Sequence, residues 1–132
     1  MKNPDQRMNQ IMRSYIAALE CCDNIPTNNN ILNSIMVRSL ADLNMMRMSL
    51  NGYMFHSAGV PWYDTLFGRD SIISALQLLP FEAGLAKSTL LVNAKFQGNR
   101  SDEWRDQEPG KILHELRQGE LANLNMIPQT PY

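Results

Sequence analysis

Cysteine is scarce in this chain. Its 132 residues hold two, Cys21 and Cys22, side by side. A disulfide between neighbours is strained and staples no distant loop. The two histidines, His56 and His114, lie far from the cysteines and lack zinc-type spacing. A disulfide scaffold is therefore excluded, no metal site is expected, and the pair reads as reduced thiols, one of them packed against a core. An excess of one charge is also lacking: 12 Lys and Arg stand against 13 Asp and Glu, a net charge of −1. Nothing here draws the chain to nucleic acid or to an anionic membrane, and no expected helix carries the basic face of a nucleic-acid reader. No run approaches the ~18 apolar residues of a membrane-spanning helix. The first ten residues are polar and hold no signal-peptide core, so the expected location is cytoplasmic. With 44% hydrophobic and 19% charged residues, the composition is that of an ordinary globular chain with a real core.

What is present is helical periodicity. Met8, Ile11, Met12, Tyr15, Ile16, Leu19 and Cys22 form one amphipathic stripe, which predicts a helix near 6–22. Pro26 and the Asn28–Asn30 triplet break it. A second stripe, Leu32, Ile35, Met36, Leu40, Leu43, Met46 and Leu50, predicts a helix over 31–50, with Asn30 as its N-cap and Asn51-Gly52 as its stop. Eight of nine methionines precede residue 55, as pliable core filler or as a sticky surface. Residues 53–69 are aromatic, interrupted by Gly59, Pro61 and Gly68, and have no helical period; they read as an ordered loop with room for a short strand. Asp70 or Ser71 then caps a helix over 70–79, bearing Ile72, Ile73, Leu76 and Leu79 and ended by Pro80. A fourth helix is expected over 82–97, with Leu85, Ala86, Leu90 and Ala94 inward. The expected fold class is all-α.

Residues 98–120 turn polar and hold ten of the 25 charges. Residues 98–111 should be irregular, residues 112–116 have the length for a turn or two of helix, and the end, 128–131, should be extended. Long loops are unusual unless functional. These two mix Arg, carboxylates and aromatics, which suits a sugar: ring faces stack on a pyranose while guanidinium and carboxylate groups bond its hydroxyls.

Three strings carry a resemblance: Arg38-Ser39-Leu40-Ala41-Asp42-Leu43; Ala58 to Ile73 with Ala75-Leu76-Gln77; and Glu108-Pro109-Gly110-Lys111-Ile112-Leu113-His114-Glu115-Leu116-Arg117 followed by Gly119-Glu120. In order and spacing they resemble the bacterial glycogen-debranching, amylo-α-1,6-glucosidase-like glycoside hydrolases. The likeness spans residues 31–132; residues 1–30 form a helix and turn without a match. It implies a partial (α/α)₆ toroid, about two helical hairpins with long ordered loops. In that family the general acid and base lie beyond the string ending at Tyr132, so the resemblance implies a fragment with part of a glucose-binding subsite and no activity of its own.

By the same likeness, Arg69 and Asp70 hold hydroxyls of a terminal glucose, where a guanidinium fork donates and a carboxylate accepts. Asp70 as a helix cap with Arg69 as its ion-pair partner is the plainer reading. Trp62 and Phe67 line the site or anchor the loop. His114, Glu115, Arg117 and Glu120 form a second cluster, in which Glu115 is the best pocket carboxylate; Asp64 is a weaker one. On a helix, Glu115 and Arg117 would face apart and Lys111 would pair with Glu115. In a toroid both loops would share one rim. No catalytic residue is assigned and no cofactor is expected. The expected ligand is an α-glucan or glucoside. The alternative is a non-catalytic sugar-binding or structural helical module that associates with another chain or with itself through exposed apolar helix faces, the stripe Met36–Met48 above all.

Overall fold

The computed structural model describes residues 27–132. The expected helix near 6–22 and the cysteine pair lie outside them. The chain divides into two compact units, Met1–Met45 and Met46–Tyr132, and each is described by itself. Among the described residues no helix is long and apolar enough to cross a membrane.

The described part of the first unit is one helix, α1 (Asn30–Met45). Its cap is Asn29, one residue earlier than expected: the Asn29 Oδ1 accepts from the backbone N–H of Ile31 at 2.9 Å and of Leu32 at 3.2 Å. Arg38 and Asp42, one turn apart, pair at 2.9 Å on the exposed surface.

The second unit opens with a correction. The helix expected to run to residue 50 stops at Met45, and Arg47–Leu50 (β1) pairs antiparallel with Tyr53–His56 (β2). Leu50 faces Tyr53, so the loop is Asn51-Gly52 alone, with φ of 52° and 83°. Positive φ at both central residues is what a type I′ turn demands, and that turn matches the twist of paired strands. Asn-Gly here reverses a hairpin rather than ending a helix. The all-α fold class, with its two helical hairpins of a partial toroid, is thereby overturned: the fold is mixed, a two-stranded antiparallel sheet with helices. Gly52→Ala should cost about 1 kcal/mol, because a Cβ strains a left-handed backbone. Gly59→Ala, where a Cβ meets open space, should stay within about 0.5 kcal/mol. Urea midpoints of the two variants check the contrast.

Beyond β2 come Gly59–Tyr63, closed by a mutual backbone pair around the cis Val60-Pro61 bond, then α2 (Gly68–Leu78), α3 (Ala83–Lys95) and a single turn, α4 (Glu120–Asn123), which the sequence reading missed. Pro80 follows the end of α2 as expected. Neither Asp70 nor Ser71 caps α2. The helix starts two residues earlier, and its first N–H, on Gly68, is taken by the carbonyl of His114 at 3.2 Å. A remote carbonyl has replaced the side-chain cap.

The core is Phe55, Leu66, Val92 and Leu113, one residue each from β2, the approach to α2, α3 and the polar tail. Met48, Leu50, Tyr53, Phe96, Leu116 and Tyr132 pack against it, so Met48 belongs to the core side and not to a sticky surface. The buried stripe of α3 is Leu85, Ala86, Thr89, Val92 and Asn93. Leu90 and Ala94, expected inward, are exposed. Polar residues hold two inward positions: the Asn93 Nδ2 donates to the Thr89 carbonyl at 2.9 Å and to the Ser71 Oγ at 3.1 Å, while the Thr89 hydroxyl and the Asn93 Oδ1 are buried without a hydrogen-bond partner. On α2 the buried face is Gly68, Ser71, Ala75 and Leu78, which leaves Ile73 and Leu76 exposed, as is Leu79 just past its end. Residues 98–111 form a loop closed on itself, with Gly98 donating to the Lys111 carbonyl and Gly110 donating to the Gly98 carbonyl.

Candidate functional site

Residues 112–116 are not helical. They are extended, because backbone partners on both sides take their polar groups. On one side Phe67 and Glu115 form an antiparallel bridge, Gly68 donates to the His114 carbonyl, and Leu116 donates to the Leu66 carbonyl at 2.8 Å. On the other side His114 donates to the Pro131 carbonyl at 2.7 Å and Arg117 to the Gln129 carbonyl at 2.8 Å. The Thr65 hydroxyl adds a bond to the Leu116 carbonyl at 2.6 Å. Loops about fifty residues apart are thus joined by main-chain bonds, which leave little freedom in register.

An extended chain alternates its side chains. His114 therefore faces away from Glu115, and Glu115 and Arg117 share a face. The Arg117 Nε donates to the Glu115 Oε1, with both groups half-buried. That corrects the helical reading in which these two face apart. Lys111 bonds Asp106, through its carbonyl at 2.7 Å and its carboxylate at 2.9 Å, rather than Glu115.

The alternation sorts the expected site residues into two clefts. One, of about 440 Å³, is lined by Asp64, Thr65, Glu115, Arg117, Gln118 and Glu120, with Leu121, Ala122 and Ile127 as its apolar wall. The other, of about 410 Å³, is lined by Arg69 and His114 with Ile72, Ile73, Ile112 and Tyr132. Asp70 and Trp62 line neither. Trp62 is 87% exposed. Arg69 and Asp70 approach to only 3.9 Å with both side chains open to water, a pair that contributes little. Phe67 is buried; its ring meets Tyr63 and His114 edge-on at 5.9 and 5.7 Å and anchors the loop.

The first cleft offers three carboxylates as acceptors and one guanidinium fork as donor. Arg117 holds Glu115 in place from the side, leaving the outer carboxylate oxygen and the remaining guanidinium N–H groups for a ligand. Thr65 was not foreseen: its role comes from the paired carbonyl of Leu116, which no local pattern announces. Among the described residues no three His, Cys, Asp or Glu side chains converge as metal ligands would.

A different polar group is buried away from both clefts. His56 on β2 is 1% exposed, and neither ring nitrogen has a hydrogen-bond partner. Burial pushes its pKa down from 6.5 to about 4, and the cross-strand neighbour Arg47 adds to the effect. Arg47 itself pairs with Glu82 at 2.5 Å. The chain matches no protein-family model and no curated protein.

Proposed function

We propose that the cleft bounded by Asp64, Glu115, Arg117 and Glu120 binds a glucoside, as part of the sugar subsite of an α-glucan-acting glycoside hydrolase, and that this chain supplies binding groups and not the acid and base. The reading includes a cytoplasmic location. The observation that carries it is the main-chain pairing of residues 66–68 with 114–116. That pairing gathers donors and acceptors from two distant segments around one opening with an apolar wall, the mixture a pyranose requires. Two of the three strings that resemble the debranching glycosidases, the one holding Asp64 and Thr65 and the one holding Glu115, Arg117 and Glu120, supply two of its walls. Arg69 and His114 line the other cleft, so the reading rests on Arg117 and Glu115 rather than on the Arg69–Asp70 pair.

The test is titration of the full chain with maltose, isomaltose and a branched dextrin, followed by ligand-observed NMR. Binding should be saturable, and Arg117→Ala should weaken it roughly ten-fold or more, since charge-assisted bonds of about 1.5–3 kcal/mol are lost. No glucose should be released, because hydrolysis needs an acid and a base set across the bond, and none of the cleft's three carboxylates matches either position in the family that the strings resemble. Undiminished binding by Arg117→Ala, or no binding to any of the three sugars, sinks the reading. Association with another chain is a second reading, favoured by the exposed Ile73, Leu76, Leu79, Leu90 and Leu91 of α2 and α3.

A further inference from the structure

The string Arg38-Ser39-Leu40-Ala41-Asp42-Leu43 has no part in either cleft. It lies in α1, a helix of 16 residues in which no side chain is buried. A helix of that length is marginal unless one face is covered. Ile31, Ile35, Arg38, Asp42 and Met45 follow one another at intervals of four, three, four and three residues. That spacing sets all five on one seam, as in a coiled coil. The apolar members are open to water: Ile31 is 73%, Ile35 56% and Met45 69% exposed. Beside them lies an open groove of about 470 Å³ along Ile31, Ser34, Ile35 and Arg38.

The seam reads apolar, apolar, positive, negative, apolar, and the order of its charges says what can cover it. A parallel copy in register would set Arg38 on Arg38 and Asp42 on Asp42. An antiparallel copy centred at Leu40 sets Arg38 on the second copy's Asp42 and Ile35 on the second copy's Met45, and a two-fold axis repeats both contacts. Moving the centre by one or two residues sets like charges together or a charge on an apolar side chain. Within one copy the Arg38 Nε already holds both Asp42 oxygens, at 2.9 and 3.1 Å. Its Nη nitrogens have no partner among the described residues, so they remain for the second copy's carboxylate.

We propose that this seam is a self-recognition surface: two copies of the chain associate through antiparallel α1 helices, with the Arg38–Asp42 pairs setting the register as polar seam residues do in coiled coils. The occupant is a second copy because the pattern complements itself under a two-fold axis. The contact covers about three helical turns, so the dimer is a weak one and forms in the upper micromolar range.

Sedimentation velocity of the full chain from ten micromolar to one millimolar tests this. The wild-type chain should pass from monomer to dimer with concentration. Arg38→Glu and Asp42→Lys should each weaken association at least ten-fold, since each sets like charges together across the axis. An equimolar mixture of the two variants should regain it as a heterodimer. The double variant R38E/D42K keeps the intrahelical pair and should dimerise like the wild type, which separates lost recognition from lost folding. A wild-type chain that stays monomeric throughout overturns the proposal. So does association that Arg38→Glu leaves unchanged, which would mean that apolar surface elsewhere drives it, and so does a mixture that fails to recover.

Discussion

Gly68→Ala will destabilise the second unit by about 3 kcal/mol, at the upper end of what overpacking costs. A Cβ at residue 68 would stand 2.3 Å from the Leu113 carbonyl oxygen and 2.7 Å from the Ile112 Cγ2. The side-chain carbon could swing aside; the carbonyl cannot, because its segment is bonded on both edges. The strain falls on the bond from Gly68 N–H to the His114 carbonyl, which caps α2 and joins the two loops. Gly84→Ala is the control. It lies in the first turn of α3, where a Cβ meets nothing within 4 Å, and Ala in a helix should gain up to about 0.5–1 kcal/mol over Gly. Urea unfolding of the two variants gives the comparison. Equal, small effects would mean that the 112–116 segment is not seated against α2.

Acid should unfold this protein through His56. The folded-state pKa of about 4 lies below the unfolded value of 6.5. At neutral pH the imidazole is largely uncharged in both states, so it adds little pH dependence to stability there. As pH falls below 6.5 the unfolded chain takes up a proton that the folded chain refuses, so stability is lost steadily until about pH 4. A shift of this size corresponds to about 3 kcal/mol. The cross-strand neighbour Arg47, itself paired with Glu82, acts in the same direction, because it opposes a second positive charge across the strand pair. Carboxylates also titrate near the lower end, so the informative quantity is the difference between the wild type and His56→Gln. The variant should keep more of its pH 7 stability at pH 4.5. Parallel pH profiles for the two proteins would show that the imidazole accepts its proton without opening the fold.

Two features of the hairpin and the site show how far the residues could be read. Asn51-Gly52 was visible, but the apolar stripe preceding it runs on at helical spacing to Leu50, and a turn that closes a helix shares its residues with one that reverses a strand. Only the pairing of Arg47–Leu50 with Tyr53–His56 decides between them. Glu115 and Arg117 were visible as residue types, while their joint orientation depends on whether residues 112–116 coil or extend. That depends in turn on Leu66, Phe67 and Gly68, and on Gln129 and Pro131, all far along the chain.

The residues by themselves determined what rests on neighbours: the start of the helix at 30–45, the helices at 68–78 and 83–95 within about two positions, the stop before Pro80, and the lack of any charge excess that would draw nucleic acid. Period and turn chemistry act over a few residues, so a linear reading reaches them. Tertiary structure alone decided the β-hairpin over a longer helix, the burial of Thr89 and Asn93 in place of Leu90 and Ala94, the sorting of Arg69 and His114 away from Glu115 and Arg117, and the isolation of His56. The hairpin and the sorting of the site residues depend on which remote backbone group satisfies a polar atom, and a buried donor or acceptor takes its partner from any distance along the chain; the burial of Thr89, Asn93 and His56 depends on which remote elements pack over them.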